Sequence, residues 1–423
     1  MLTALSSGFA VAVLLVVALK LWLAQRQVAA VGAHSDRVPA PFDTVIPLQA
    51  HQLAAAYTIA KQRLGMAQTL LGAAVLLGLT LLGGLQRLGD LVAGVAGRGL
   101  PGQVALVACV GVLLSAIDVP LDAYRQFRLE QRFGFNRMTP RLFIVDHLKG
   151  LLVAAVLGLP LLACILWLMA RSGEAWWLYA WIVWVGFGLL LQVLYPTVIA
   201  PLFNRFTPLA DATLMGRIDG LLARTGFRSR GVFTIDGSRR SSHGNAYFAG
   251  LGRSKRIVFF DTLLARLEAP EIEAVLAHEL GHFRLHHIVK RLLFSMAASL
   301  AGLATLGWLA RQAWFYEALG VVPRMDARND AVALLLFALA APVFTFVLAP
   351  FASLLSRRHE FEADAFASRH ASSASLVSAL TKLYRDNAST LTPDPLHSAF
   401  YDSHPPAALR IARLVDSAGA APA

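Results

Sequence analysis

His278-Glu279-Leu280-Gly281-His282 sits between long apolar stretches, and its reading decides what the chain must build around it. On a helix, residues four apart lie one turn from each other on the same face, so the two imidazoles converge on one point. That spacing suits a single Zn²⁺, and the intervening glutamate can act on water held there. Five residues also match by chance on surface helices. The helical context and an acid-bearing segment downstream distinguish this run from such a match.

The composition supplies the setting. Of 423 residues, 57% are hydrophobic and 15% charged, against about 45–50% and about 25% in soluble domains. The net charge of +12 raises the question of nucleic acid. The basic residues instead fall between apolar runs, with no basic block interleaved with aromatics, which argues against such a partner. Cys109 and Cys164 both lie inside apolar runs, so neither a disulfide framework nor a cysteine-type zinc site is supported. The N-terminus lacks a basic n-region and a clean cleavage site, and reads as a retained anchor.

Seven segments are expected to span a bilayer: roughly 5–24, 65–84, 103–121, 149–170, 175–196, 288–310 and 331–354. Asp118 and Pro120 interrupt the end of the third, and Trp176, Trp177, Trp181 and Trp184 suit a membrane interface. The first loop carries Arg26, Arg37, Lys61 and Arg63, and the third Arg125, Arg128, Arg132, Arg137 and Arg141. The positive-inside bias then predicts an outside N-terminus, with the zinc motif and the C-terminus cytoplasmic. The expected division is 1–200 for five spans, 201–287 for a metallopeptidase region, 288–356 for two spans, and 357–423 for a third-ligand helix and polar tail. Within the second region, Gly231–Ile235 and Arg256–Phe260 read as strands, with a third possible near Phe248. Asp261-Thr262 reads as an N-cap, and a helix from near Pro270 carries the motif. The fold class is therefore mainly α: a polytopic membrane protein with a small α+β zinc metallopeptidase domain on the cytosolic side.

Two histidines do not complete a catalytic site, which needs a third protein ligand. Leu285 and Ile288 occupy the Gly and His positions of the metzincin extension, excluding that option. His286 and His287 follow too closely on the same helix to fold back onto the metal, and read as solvated or supporting residues. Glu360, in Arg358-His359-Glu360-Phe361-Glu362-Ala363-Asp364, is the better third ligand beside His278 and His282. Asp364 shares its helix face and can orient a zinc histidine. Glu362 points elsewhere and reads as a solvated surface acid. Glu279 is the expected base, and His404 is a candidate donor to the developing oxyanion.

Assembled, these residues resemble the CAAX prenyl protease type 1 family of membrane zinc endopeptidases. The likeness extends to Phe127–Asn136 with Thr139, to Tyr195–Leu209, and to the runs from His243 to Gly250, Glu360 to Ala367 and Ser403 to Pro406. It implies seven helices enclosing a large chamber, with one Zn²⁺ at its cytosolic end. It also implies that Asn245 and the following strand hold the substrate backbone, and that Asp364 and His404 belong to the active site. One departure is Leu409, where the family carries a glutamate, which puts the docking of the tail in question.

The expected function is hydrolysis of peptide bonds in a peptide or protein substrate, prenylated proteins among the candidates, at the membrane. A bacterial inner-membrane protein is the favoured source, or an endoplasmic-reticulum protein if eukaryotic. Broad quality control of membrane proteins and a non-catalytic zinc scaffold or chaperone are the alternatives. A transporter is disfavoured by the scarcity of intramembrane charge.

Overall fold

The computed structural model describes residues 4–249, 256–324 and 328–419. The first apolar half folds into α1 (Ala4–Ala33), α2 (Leu48–Leu79), α3 (Gly84–Ala96), α4 (Leu100–Tyr124), α5 (Pro140–Arg171) and α6 (Trp176–Leu194). Four of these, α1, α2, α4 and α5, exceed their expected lengths. α2 begins at Leu48, and α4 runs through Asp118 and Pro120 into a π-helical turn, Arg125–Glu130. A single proline inside a span is tolerated because neighbouring groups take up the freed carbonyl. The tryptophans do more than face an interface: Trp176 is buried, and Trp181 Nε1 donates to the Met296 carbonyl at 3.0 Å.

The central region starts with α7 (Ala200–Phe203), β1 (Phe206–Pro208), α8 (Ala212–Thr225), β2 (Val232–Ile235), β3 (Ala246–Ala249) and β4 (Arg256–Phe260). The strands form one sheet in the order β1-β2-β4-β3, with β2 and β4 parallel and the outer pairs antiparallel. Burial of Val232, Ile235, Ile257, Val258 and Phe259 explains why the two β-prone stretches pair at the centre. α9 (Asp261–Leu264) is a single turn whose N-cap is Phe260. Asp261 does not cap it as expected, because its carboxylate accepts from Ser238 N at 2.9 Å. α10 (Ala269–Arg284) carries the histidine motif and opens on a capping box between Glu268 and Glu271, with Pro270 in its first turn.

Next come α11 (His287–Leu309), α12 (Ala313–Ala318), α13 (Asp330–Thr345), α14 (Ala349–His370), α15 (Ser373–Asp386), α16 (Pro395–Tyr401) and α17 (Ala407–Gly419). The region beyond residue 370 is not the expected polar tail. It is three helices that bury Leu376, Ala379, Leu380, Ile411 and Leu414. α14 continues unbroken past residue 356, so the end of the last span and the acid-bearing segment share one helix.

Among the described residues, six helical segments are long and apolar enough to cross a membrane, and α2 with α3, bent by 57°, makes a seventh if the pair is one span. In the most apolar windows of α4, α5, α6 and α11 only 6–11% of residues are buried. Helices packed in a solid bundle bury a whole stripe of their surface. These leave most of their apolar surface uncovered by the rest of the protein. Cavities of about 590 Å³, between α1, α2, α4 and α13, and about 1070 Å³, between α2 and α4, meet at Leu121.

Two loops tie the membrane helices to the metal-motif side. Val38, Phe42 and Ile46 of the first loop pack on Leu391, Ala407 and Ile411. Leu129 and Phe135 of the third loop pack with Tyr57 and Ala388. Asn136 bridges to Ser241, Thr139 caps α5, and Arg240 holds Asp146 of α5 at 2.8 Å. Both arginine-rich loops therefore lie on the side that carries α10.

Candidate metal centre

α10 and α14 cross at Gly281. A Cβ there would lie 3.0 Å from Ala363 Cα and 3.1 Å from Phe366 Cβ, so glycine permits the approach that joins the histidines to the acids. Gly281→Val is expected to wedge the helices apart at a cost of about 1–3 kcal/mol. A lowered unfolding temperature together with reduced zinc content would register it.

At this crossing His278, His282 and Glu360 bring ligand atoms within 4.8 Å of one another, a group that can hold a metal ion. The two Nε2 atoms face each other at 3.2 Å, and Glu360 stands 3.3 Å from His282 Nε2 and 3.5 Å from His278 Nε2. Glu360 Oε2 is buried with no hydrogen-bond partner among the described residues. An orphaned carboxylate oxygen beside two converging imidazole nitrogens fits the donor set of a His₂Glu zinc site.

The surroundings hold each group in place. Asp364 Oδ1 lies 2.8 Å from His278 Nδ1, and Arg410 Nη2 and Nε donate to the same carboxylate at 2.6 and 2.9 Å. Burial disfavours a charged His278, but the neighbouring carboxylates of Asp364 and Glu360 outweigh it and lift the imidazole to about 9. A proton and a metal therefore compete for this corner. Glu279 lies half-buried one residue on, and burial pushes its carboxyl up, aided by the nearby Glu360 and opposed by His278 and His282.

His404 Nε2 stands 3.5 Å from Glu360 Oε2, so the segment after α16 does reach the centre. A cavity of about 340 Å³ begins at His404 and extends past Tyr384 to Lys61. Asn245 is exposed at the start of β3, the edge strand; its carbonyl accepts from Phe260 N at 3.0 Å. The turn before it is pinned by Asn387, whose Oδ1 accepts from Gly244 N at 3.1 Å, and by the His243 ring stacked on Phe135 at 4.4 Å.

The reading of Glu362 as a solvated acid needs correction, and the structure decides two points the sequence left open, the place of His287 and the effect of Leu409. His287 is fully buried and reaches the centre, its Nδ1 3.0 Å from His282 Nδ1. A continuous helix would not allow this, but the chain breaks at His286, which takes φ 58°. Glu362 is no solvated acid: its oxygens meet His287 Nε2 at 2.9 Å and Arg358 Nε at 3.0 Å. The substitution at Leu409 leaves the tail docked, because Leu409 is 57% exposed while its neighbour Arg410 makes the buried pair. Asn387 escaped notice in the sequence, and Arg410, seen there only as the neighbour of Leu409, was given no role, since only long-range packing brings them here.

Comparison with known proteins agrees with this geometry. Residues 27–205 match the family described as CAAX prenyl protease N-terminal, five membrane helices, and residues 208–418 match peptidase family M48. CAAX prenyl protease 1 of Saccharomyces cerevisiae is 36% identical over 324 residues, 74% of this chain and 72% of the yeast protein. The Arabidopsis thaliana homologue is 37% identical over 302 residues, covering 71% and 70%. The crystal structure of S. mikatae Ste24p superposes with a TM-score of 0.90 at 29% identity, covering 97% of this chain and 99% of that one. This chain is therefore an integral, multi-pass membrane metalloendopeptidase of peptidase family M48, belonging with the CAAX prenyl proteases.

Proposed function

We propose that the chain holds one zinc ion through His278, His282 and Glu360, and cleaves extended peptides, prenylated ones by preference, at the cytoplasmic membrane face. The observation that carries this reading is the convergence of those three side chains, two from α10 and one from α14, beside a cavity within a membrane protein. The arginine-rich first and third loops on the same side support the cytoplasmic orientation.

When bound, zinc supplies Lewis acidity toward the scissile carbonyl and toward water. Glu279 takes the water proton and returns it to the leaving amine, a role suited to a carboxyl that burial pushes up. Asp364, itself held by Arg410, fixes the orientation of His278. His404 donates to the oxygen on which negative charge develops. β3 offers its outer edge, which no described strand covers, so a substrate can add as a further strand with Asn245 at its entrance. The cavity from His404 to Lys61 receives residues beyond the cut. Asn245→Ala is expected to raise KM several-fold with zinc content unchanged, as loss of a backbone hydrogen bond of about 1 kcal/mol predicts.

The test is cleavage of matched farnesylated and unmodified CAAX peptides by purified, zinc-quantified protein, with Glu279→Gln as control. Selective cleavage of the lipidated peptide is the expected result. Equal cleavage of both would make this a broad membrane-protein protease. Cleavage of neither, with zinc bound, would favour a scaffold.

A further inference from the structure

His287 and Glu362 form a chain that ends on a proposed metal ligand. The three acids of α14 are spaced two apart, and two residues turn a helix by about 200°. Glu360 enters the metal corner, and Asp364, one turn on, reaches His278. Glu362 therefore faces away from both. The break at His286 swings His287 into the gap, where it contacts His282 on one side and Glu362 on the other. His359 stacks on the His287 ring at 4.1 Å with 12° between planes, which fixes the plane of the relay.

The direction of these hydrogen bonds follows from the chemistry of the groups. A carboxylate only accepts, so the proton between Glu362 and His287 belongs to His287 Nε2. In the neutral imidazole Nδ1 is then a lone pair, and it accepts from His282 Nδ1–H. This leaves His282 Nε2 without a proton, facing His278 Nε2 and Glu360. The opposite tautomer would place N–H in the corner and block a cation.

We infer that His287, oriented by Glu362 and His359, is a positioning residue that holds His282 in its metal-binding tautomer. Each zinc histidine then has its own carboxylate: Asp364 directly for His278, and Glu362 through one intervening imidazole for His282. This rests on the zinc-site reading above and extends it to residues outside the three ligands.

Outer partners of metal-bound histidines change metal affinity by about 10–100-fold when removed. Zinc affinity of the full-length protein in detergent, measured by competition with a chromophoric chelator, should fall by about that factor in His287→Ala. Glu362→Ala should weaken binding less, and Glu362→Gln should largely restore it, because the amide oxygen still accepts from His287 Nε2. In the His287→Ala background, Glu362→Ala should add nothing, since its effect runs through that ring. Arg358→Ala, which removes the other partner of Glu362, should leave affinity unchanged. The Co²⁺-loaded protein should show a shifted d–d spectrum in His287→Ala, which loss of packing alone would not produce. Wild-type affinity and spectrum in His287→Ala, or additive losses in the double variant, would overturn the relay while leaving the three ligands standing. Failure of the wild-type protein to bind zinc or Co²⁺ would overturn the metal site and the relay with it.

Discussion

Glu279→Gln is expected to keep its zinc and to lose turnover by about 10²–10⁴-fold, the usual contribution of a positioned acid–base group. The amide preserves the shape of the carboxylate but takes no proton at working pH. Glu279 is not among the three converging ligand side chains, so nothing about metal capture changes. Glu360→Ala is expected to behave differently, because it removes the carboxylate that stands against both Nε2 atoms. Zinc and activity should fall together. Zinc per mole of purified protein, measured beside peptide cleavage, separates the two variants. Loss of zinc from Glu279→Gln would contradict the assignment of base and ligand. Full zinc with full activity in Glu360→Ala would do the same.

Arg410→Ala carries the second large effect. Arg410 is 5% exposed and pairs with Asp364 at 2.6 Å, and its Nη1 lies 3.7 Å from Glu360 Oε2. Truncation strands two buried carboxylates without their cation, and breaking a buried pair from one side costs about 3–5 kcal/mol. The same guanidinium anchors α17 to α14, so a loosened tail should accompany the loss. Thermal unfolding in detergent and limited proteolysis of the C-terminal helices would show both. Zinc affinity should fall as well, because Asp364 loses the partner that aims it at His278. Arg410→Lys should recover only part of each property, since an ammonium cannot reproduce the two-pronged contact. An Arg410→Ala protein that melts at the wild-type temperature would show that Ile411 and Leu414 dock the tail unaided.

Much of the molecule is legible from local pattern. Hydropathy located the apolar spans, because in lipid a run of that length has to be helical to satisfy its own backbone. Alternation and branching located the strands at residues 232–235 and 256–260. Helical spacing paired His278 with His282. The amphipathic helices α15 and α17 were less legible, since short polar–apolar mixtures read as tail until a partner surface is known. Ile411 and Leu414 gain their meaning only from the groove they fill.

Sequence alone therefore determined a membrane-spanning body, two histidines one helical turn apart with a glutamate between them, and an acid-bearing segment beyond the last span. Tertiary structure decided which acid does what. Gly281 lets α14 come close enough for Glu360 to complete the corner. The left-handed residue His286 decides between the solvated and supporting readings of His287, placing it as the buried link between His282 and Glu362. Helical periodicity governs residues within a turn or two of one another, whereas these contacts depend on a helix break and a helix crossing. Both are set by packing among segments about 80 residues apart.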